Sequence, residues 1–202
     1  MRRAIIHLRQ ADPVLGEIIE RVGPCKLQYA EPDFETMVRS IIFQQLNGKA
    51  ARAIFARFKE AVGGGSRMAP HEVLALPPEK MRALGLSQRK VEYVRDLAEK
   101  TRAGVIEFSR LARLPDEDVI EHLTAVKGVG VWTAHMFLLF ALRRPDILAT
   151  GDFGIRSAIR KAYRLRKLPT RARVEKLGAR WHPHCSVACW YLWRSFDTVV
   201  GV

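Results

Sequence analysis

Cysteine is nearly absent from this chain: Cys25, Cys185 and Cys189 are the only three. An odd number scattered over 202 residues gives no disulfide framework and points to a reducing compartment. Cys185 and Cys189 lie four apart on one helix face. With no third or fourth soft ligand at suitable spacing, they read as small buried residues. The six histidines, His182 and His184 among them, likewise show no ligand spacing with a third partner. Long apolar runs are also missing. No stretch approaches the roughly 18 apolar residues that crossing a bilayer takes, and the Arg2-Arg3 start lacks a signal peptide's apolar region. The expectation is a protein without a membrane segment that stays in the cytoplasm, with the nucleoid if the source is bacterial. Runs alternating between apolar and polar residues are lacking too, so a sheet is not expected. Acidic residues are outnumbered, 21 against 34 Lys and Arg, for a formal net charge of +13. Such an excess says nothing of fold but favours a polyanionic partner, and nucleic acid is the commonest.

What the chain does contain reads as helix almost throughout, and the fold class is all-α. Asp12-Pro13 opens a helix to about Val22. Pro32-Asp33 opens another through about Leu46, with Phe34, Met37, Val38, Ile41, Ile42 and Gln45 at helical spacing. Asn47 caps a third, which runs to Val62 before Gly63-Gly64-Gly65 ends it. Pro70 to Leu76 and Pro78 to Leu84 are short helices, the second stopped by Gly85. Ser87 caps a helix to about Arg102. Pro115 to Asp118 open one that reaches about Ala125, and Val131 to Leu142 and Phe153 to about Arg164 are further helical runs.

The most informative segment is Leu123 to Asp152. It joins the tight turn Val126-Lys127-Gly128-Val129-Gly130, between two helices, to one acid at a fixed distance. Two glycines can take positive φ and let their N–H groups approach an anion, to which the next helix adds the positive end of its dipole. Short glycine turns also occur where no phosphate binds, so the turn alone leaves both readings open. Asp152 is by position also a candidate N-cap of the helix that follows it, and capping and chemistry are compatible. Between Phe153 and Trp181 ten Lys or Arg residues face the single acid Glu175, too one-sided for pairing within the chain. Part of that charge is expected to meet phosphate.

The pattern Leu123, Val126, Gly128, Val129, Gly130, Thr133 and Ala134 resembles the helix-hairpin-helix of DNA repair glycosylases. In that superfamily a catalytic aspartate follows the hairpin, and here Gly151-Asp152 lies 22 residues beyond Gly130. Thr150 precedes the pair and no proline is present, which resembles the alkylation-repair branch, 3-methyladenine DNA glycosylase II. The resemblance implies a two-lobed helical bundle with the active site in the cleft between lobes. Residues 34–142 would form the middle lobe with the hairpin, and residues 1–33 plus 143–202 the second, within one glycosylase unit spanning 1–202.

The same resemblance implies roles. Asp152 is the catalytic carboxylate, which stabilises the positive charge that develops on the sugar as the bond to the purine breaks. Trp132 stands where lyase-competent relatives carry the Schiff-base lysine, so the enzyme would be monofunctional, with water as nucleophile and an abasic site as product. Trp132, Phe153 and Trp193 offer electron-rich faces to a cationic alkylated purine, with Met136 and Gln44 in the same pocket; by spacing alone, Trp132, Trp190 and Trp193 also fit a core. Gln45, with Leu46 as neighbour and substitute, would fill the gap left by the flipped base. Lys127, Gly128, Val129, Gly130 and Thr133 would hold the DNA backbone. Main-chain carbonyls of Thr124, Val126 and Val129 would coordinate a sodium or potassium ion where one is present. No cofactor is required, and the four-cysteine iron–sulfur loop of some relatives is excluded by a chain with three cysteines. The expected partner is duplex DNA containing damaged purines, and the expected state a monomer. A non-catalytic DNA-binding or damage-sensing module, or a glycosylase for oxidised or mismatched bases, remains the alternative.

Overall fold

Helix caps written into the sequence set several helix starts in the computed structural model, which describes residues 1–63, 65 and 67–197. Gly64, in the expected glycine stop, and residues 198–202, in the expected second lobe, lie outside the described residues. Side chains of Asp33, Asn47, Ser87 and Thr170 accept the backbone N–H three residues on, at 2.9, 2.9, 3.3 and 3.3 Å. Each satisfies one of the donors orphaned at a helix start. The described residues contain helices and turns and no strand.

The chain divides into two units, residues 30–142 and residues 1–29 with 143–202. The first holds α3 (Phe34–Phe43), α4 (Gly48–Ala61), α5 (Pro70–Ala75), α6 (Pro78–Ala83), α7 (Gln88–Arg102), α8 (Phe108–Leu111), α9 (Asp116–Thr124) and α10 (Val131–Phe140). Helix α7 packs against α3, α5 and α6, and α9 against α10. Phe34, Met37, Val38, Ile41 and Ile42 of α3 are buried, as are Val91, Val94 and Leu97 of α7 and Phe137 to Leu139 of α10. Ala30 N–H donates to Phe140 O at 2.9 Å and ties the start of the unit to its last helix.

The second unit holds α1 (Arg2–Ala11), α2 (Pro13–Val22), α11 (Phe153–Ala162), α12 (Arg171–Gly178), a 3-10 turn (Ala179–Trp181) and α13 (Cys185–Asp197). Helix α13 packs against α2, α11 and α1. A buried polar knot sits at Asp12. Its Oδ1 caps α2 through Val14 and Leu15 N–H, while Oδ2 accepts Trp181 Nε1–H at 2.9 Å and the Tyr163 hydroxyl. Burial and the Asp12 carboxylate together push the Tyr163 phenol far above its ordinary range.

One helix is shorter than its pattern predicts. Spacing carries α3 through Leu46, yet it stops at Phe43, and Gln45 adopts φ +56°. The cause is tertiary: Lys90 Nζ, from α7, donates to Ile42 O and Gln44 O, both at 2.7 Å, and takes carbonyls that mark the helix end. Burial lowers the Lys90 pKa from its ordinary value.

Candidate active site

Helices α9 and α10 meet in the turn 125–130, and the turn is shaped by contacts from α7. Gly128 has φ +75°, and a Cβ there would lie 2.1 Å from the Tyr93 ring, so glycine is required by conformation and by close approach alike. Gly130, also expected to exploit its freedom, is instead extended at φ −98° and ψ 173°, serving as the N-cap of α10. Several N–H groups expected to meet an anion are already engaged. Lys127 N–H donates to Asp96 Oδ2 at 2.8 Å, Val129 N–H to Val126 O at 3.1 Å, and Val129 itself is buried. Lys127, Gly128 and Gly130 are themselves exposed. Burial raises the Asp96 pKa, but the hydrogen bonds from Lys100, 2.6 Å away, and Lys127 N–H outweigh it and hold the carboxyl below its usual range.

Beside the turn a cavity of about 480 Å³ is lined by Arg39, Ser40, Phe43, Gln44, Gln45, Gly128, Trp132, Thr133 and Met136. Of the residues assigned from sequence to the base pocket, it brings together Trp132, Met136 and Gln44. Trp132 is half-exposed, an unusual place for an indole unless it meets a partner. Gln44 has a further, structural part. Its amide nitrogen donates to Gly128 O at 3.0 Å and Thr133 Oγ1 at 3.3 Å, so it ties the end of α3 to the hairpin. Thr133 is buried and its Oγ1 accepts that amide, so any contact of Thr133 with a DNA backbone must leave this bond in place. Gln45 and Leu46 are exposed at the turn, where an intercalating side chain must be. Arg39 stacks over the Phe43 ring at 4.2 Å and brings a positive charge to the cavity lining.

In the other unit, Asp152 is the N-cap of α11 and is 8% exposed. Two donors converge on Oδ1: Ile155 N–H at 2.7 Å and Trp193 Nε1–H at 2.9 Å. The capping and chemical readings of Asp152 are therefore compatible, since capping is what fixes the carboxylate. The half-buried Trp193 orients that carboxylate as well as offering a ring, a role that sequence spacing does not reveal because 41 residues separate the two. Gly154 makes room: a Cβ there would lie 3.0 Å from Asp152 Oδ1 and 3.1 Å from Trp193 Cδ1. Phe153 is 72% exposed, a bare apolar ring beside the carboxylate in sequence. Trp190, in contrast, is buried against Tyr191.

Nine of the ten basic side chains between Phe153 and Trp181 are exposed. The exception, Arg156, donates Nε–H to Pro169 O at 2.7 Å and holds the loop before α12. Residues missed at the sequence level are Lys90, Asp96, Tyr93 and Arg39. Each acts on a segment distant in the chain or lacks a motif, and only the packing of α3 and α7 against the hairpin could have pointed to them.

A model of the HhH-GPD superfamily base excision DNA repair protein matches residues 38–184. DNA-3-methyladenine glycosylase 1 of Schizosaccharomyces pombe is 37% identical over 199 residues, which cover 96% of this chain and 87% of that protein. A solved structure of 3-methyladenine DNA glycosylase (Mag1) from Schizosaccharomyces pombe, in complex with abasic DNA, has a TM-score of 0.85 at 38% identity over 95% of both chains. A DNA-3-methyladenine glycosidase from Bacillus halodurans has a TM-score of 0.82 at 36% identity, covering 95% of this chain and 88% of that one. With that match spanning the hairpin, the turn after α3 and Asp152, the chain belongs to the HhH-GPD superfamily of base excision DNA repair proteins.

Proposed function

We propose that this protein is a DNA glycosylase that hydrolyses the N-glycosidic bond of alkylated purines, of the 3-methyladenine and 7-methylguanine type, in duplex DNA and leaves an abasic site. The observation that carries the reading is the Asp152 carboxylate, held at Oδ1 by a backbone N–H and an indole N–H. A carboxylate whose orientation is fixed in advance stabilises an oxocarbenium-like sugar without reorganising as charge develops. A purine methylated at N3 or N7 is already a good leaving group, so one carboxylate suffices to assist water.

Removing a base from the stack costs a few kcal/mol, which Gln45 and Leu46 offset by entering the gap. Trp132, Phe153 and Trp193 offer ring faces to the flipped cationic base. Arg39 suits a phosphate better than such a base. Lys127 and the N–H groups of Gly128 and Gly130 hold the backbone. The carbonyls of Thr124, Val126 and Val129 are hard oxygen donors of the kind an alkali cation takes; Val126 O already accepts Val129 N–H and would offer its second lone pair. Trp132 in place of an amine makes the enzyme monofunctional. The protein works as a monomer where the DNA is. Among the described residues no helix is long and apolar enough to cross a membrane.

The test is release of free base from methylated duplex DNA by the native protein and by Asp152→Asn. Native release that falls at least about a hundredfold in the variant supports the reading, since losing one group that stabilises transition-state charge costs about 2.7–4 kcal/mol. Equal release from both, or none from either, removes it. A borohydride-trapped covalent adduct would contradict the monofunctional assignment.

A further inference from the structure

We propose that Asp146, His182 and Cys185 form a binding site for one divalent transition-metal ion of borderline softness, of which zinc is the type. The three come from separate segments: the loop between α10 and α11, the residue after the 3-10 turn, and the first residue of α13. Spacing along the chain disclosed no third partner for His182 and Cys185. The fold supplies it in Asp146, from a loop far from both in the sequence.

The donor set is one oxygen, one nitrogen and one sulfur, all within 4.8 Å of one another. Cys185 Sγ lies 3.6 Å from His182 Nδ1. With Zn–S near 2.3 Å and Zn–N near 2.0–2.1 Å, a tetrahedral ion places those two atoms about 3.6 Å apart, so this edge is already at the separation that coordination needs. His182 Nδ1 and Asp146 Oδ2 are closer, at 2.7 Å, because a proton joins them. An ion replacing that proton would spread the pair to about 3.4 Å, a motion available to two partly exposed side chains.

The surroundings suit an ion as well. Asp146 Oδ1 accepts Cys185 N–H at 3.2 Å, which fixes the carboxylate from behind as outer hydrogen bonds do at metal centres. The sulfur is fully buried while the His182 side chain is 51% exposed, which leaves an approach from solvent and room for water as a fourth ligand. His184 is not needed, since its ring packs edge-on against His7 at 5.4 Å. Coordination would displace the thiol proton, and affinity would rise with pH accordingly. The ion would brace the loop that leads to Asp152 onto the helix that carries Trp193. The same contact is already made in part by Ser186, whose Oγ accepts Ile147 N–H and donates to Arg144 O. The proposal does not depend on base release.

The experiment uses cobalt(II) alone as probe, added to the full chain purified without a metal-binding tag. One ion per chain is expected, with a thiolate-to-cobalt charge-transfer band that zinc abolishes by displacement. The band should persist in Cys25→Ala and Cys189→Ala and vanish in Cys185→Ser. Cys185 is buried, so the half-exposed His182→Gln, which leaves the core intact, serves as the second arm and should bind about tenfold or more weakly. No charge-transfer band in the native protein, a band that survives Cys185→Ser, or unchanged affinity in His182→Gln overturns the assignment.

Discussion

Replacing Gly128 by alanine is the sharpest test of how the hairpin is built, and its cost divides into two separable parts. The backbone there has φ +75°, a conformation costing an alanine about 1–2 kcal/mol. The added Cβ would lie 2.1, 2.2 and 2.5 Å from Cδ2, Cε2 and Cγ of Tyr93, more than an ångström inside ordinary contact. Moving the ring or the turn to clear that overlap costs about 1–3 kcal/mol more. Gly128→Ala should therefore destabilise the protein by about 2–5 kcal/mol, the sum of these two parts. In a Tyr93→Ala background the steric part disappears and only the backbone part stays. The double variant should thus be more stable than the sum of the singles by about 1–3 kcal/mol, beyond the roughly 0.3–0.5 within which independent sites add. Urea unfolding followed by far-ultraviolet circular dichroism, on the four proteins at one pH and salt, measures this coupling through the midpoints. Additivity within about 0.5 kcal/mol would refute the claim that Tyr93 packs directly beneath the hairpin glycine.

Two further outcomes follow from α7. Lys90→Met leaves the carbonyls of Ile42 and Gln44 without their donor, and should lower the free energy of unfolding by about 1.5–3 kcal/mol, as the loss of a charge-assisted bond does; unchanged stability with unchanged helix content would show that the ammonium does not set the turn. Asp96 has a folded-state pKa below 3.8, so its contribution to stability is complete above that value and is lost as pH falls through the lower one. Asp96→Asn should cost about 1 kcal/mol at neutral pH and flatten the acid limb of the stability profile. An identical acid limb in variant and native protein would rule Asp96 out as its source.

Where a helix start depends on a side chain and the backbone three residues on, the sequence was readable, as at Asn47 and Ser87, because cap and capped group are neighbours. The interval from the hairpin glycines to Asp152 carried meaning only through the resemblance to DNA repair glycosylases. The premature end of α3 was not readable, because Lys90 lies in another helix and no local pattern advertises an ammonium on two carbonyls. Gly130 was misjudged in conformation, since a glycine used as an extended N-cap looks the same in sequence as one used for positive φ. Gln44, placed against a nucleotide by analogy, also ties α3 to the hairpin through its amide nitrogen, a bond that no local pattern announces. Trp193 was recognised as an aromatic face, but its N–H bond to Asp152 depends on how α11 lies on α13, which periodicity does not encode. The basic run after Phe153 read as a charged face, and α12 within it was hidden by its own arginines.

The unit that carries Asp152 is discontinuous, built from the first 29 residues and those after 142. During synthesis, residues 30–142 can assemble their own core while α1 and α2 wait for partners not yet made. Asp12 obtains Trp181 only once the 3-10 turn has been made, and Asp152 obtains Trp193 only once α13 has. A chain interrupted before α13 would lack the Trp193 N–H that holds Asp152 Oδ1. Contacts across so long a separation carry the larger loop-closure cost, so the discontinuous unit is expected to close more slowly than residues 30–142.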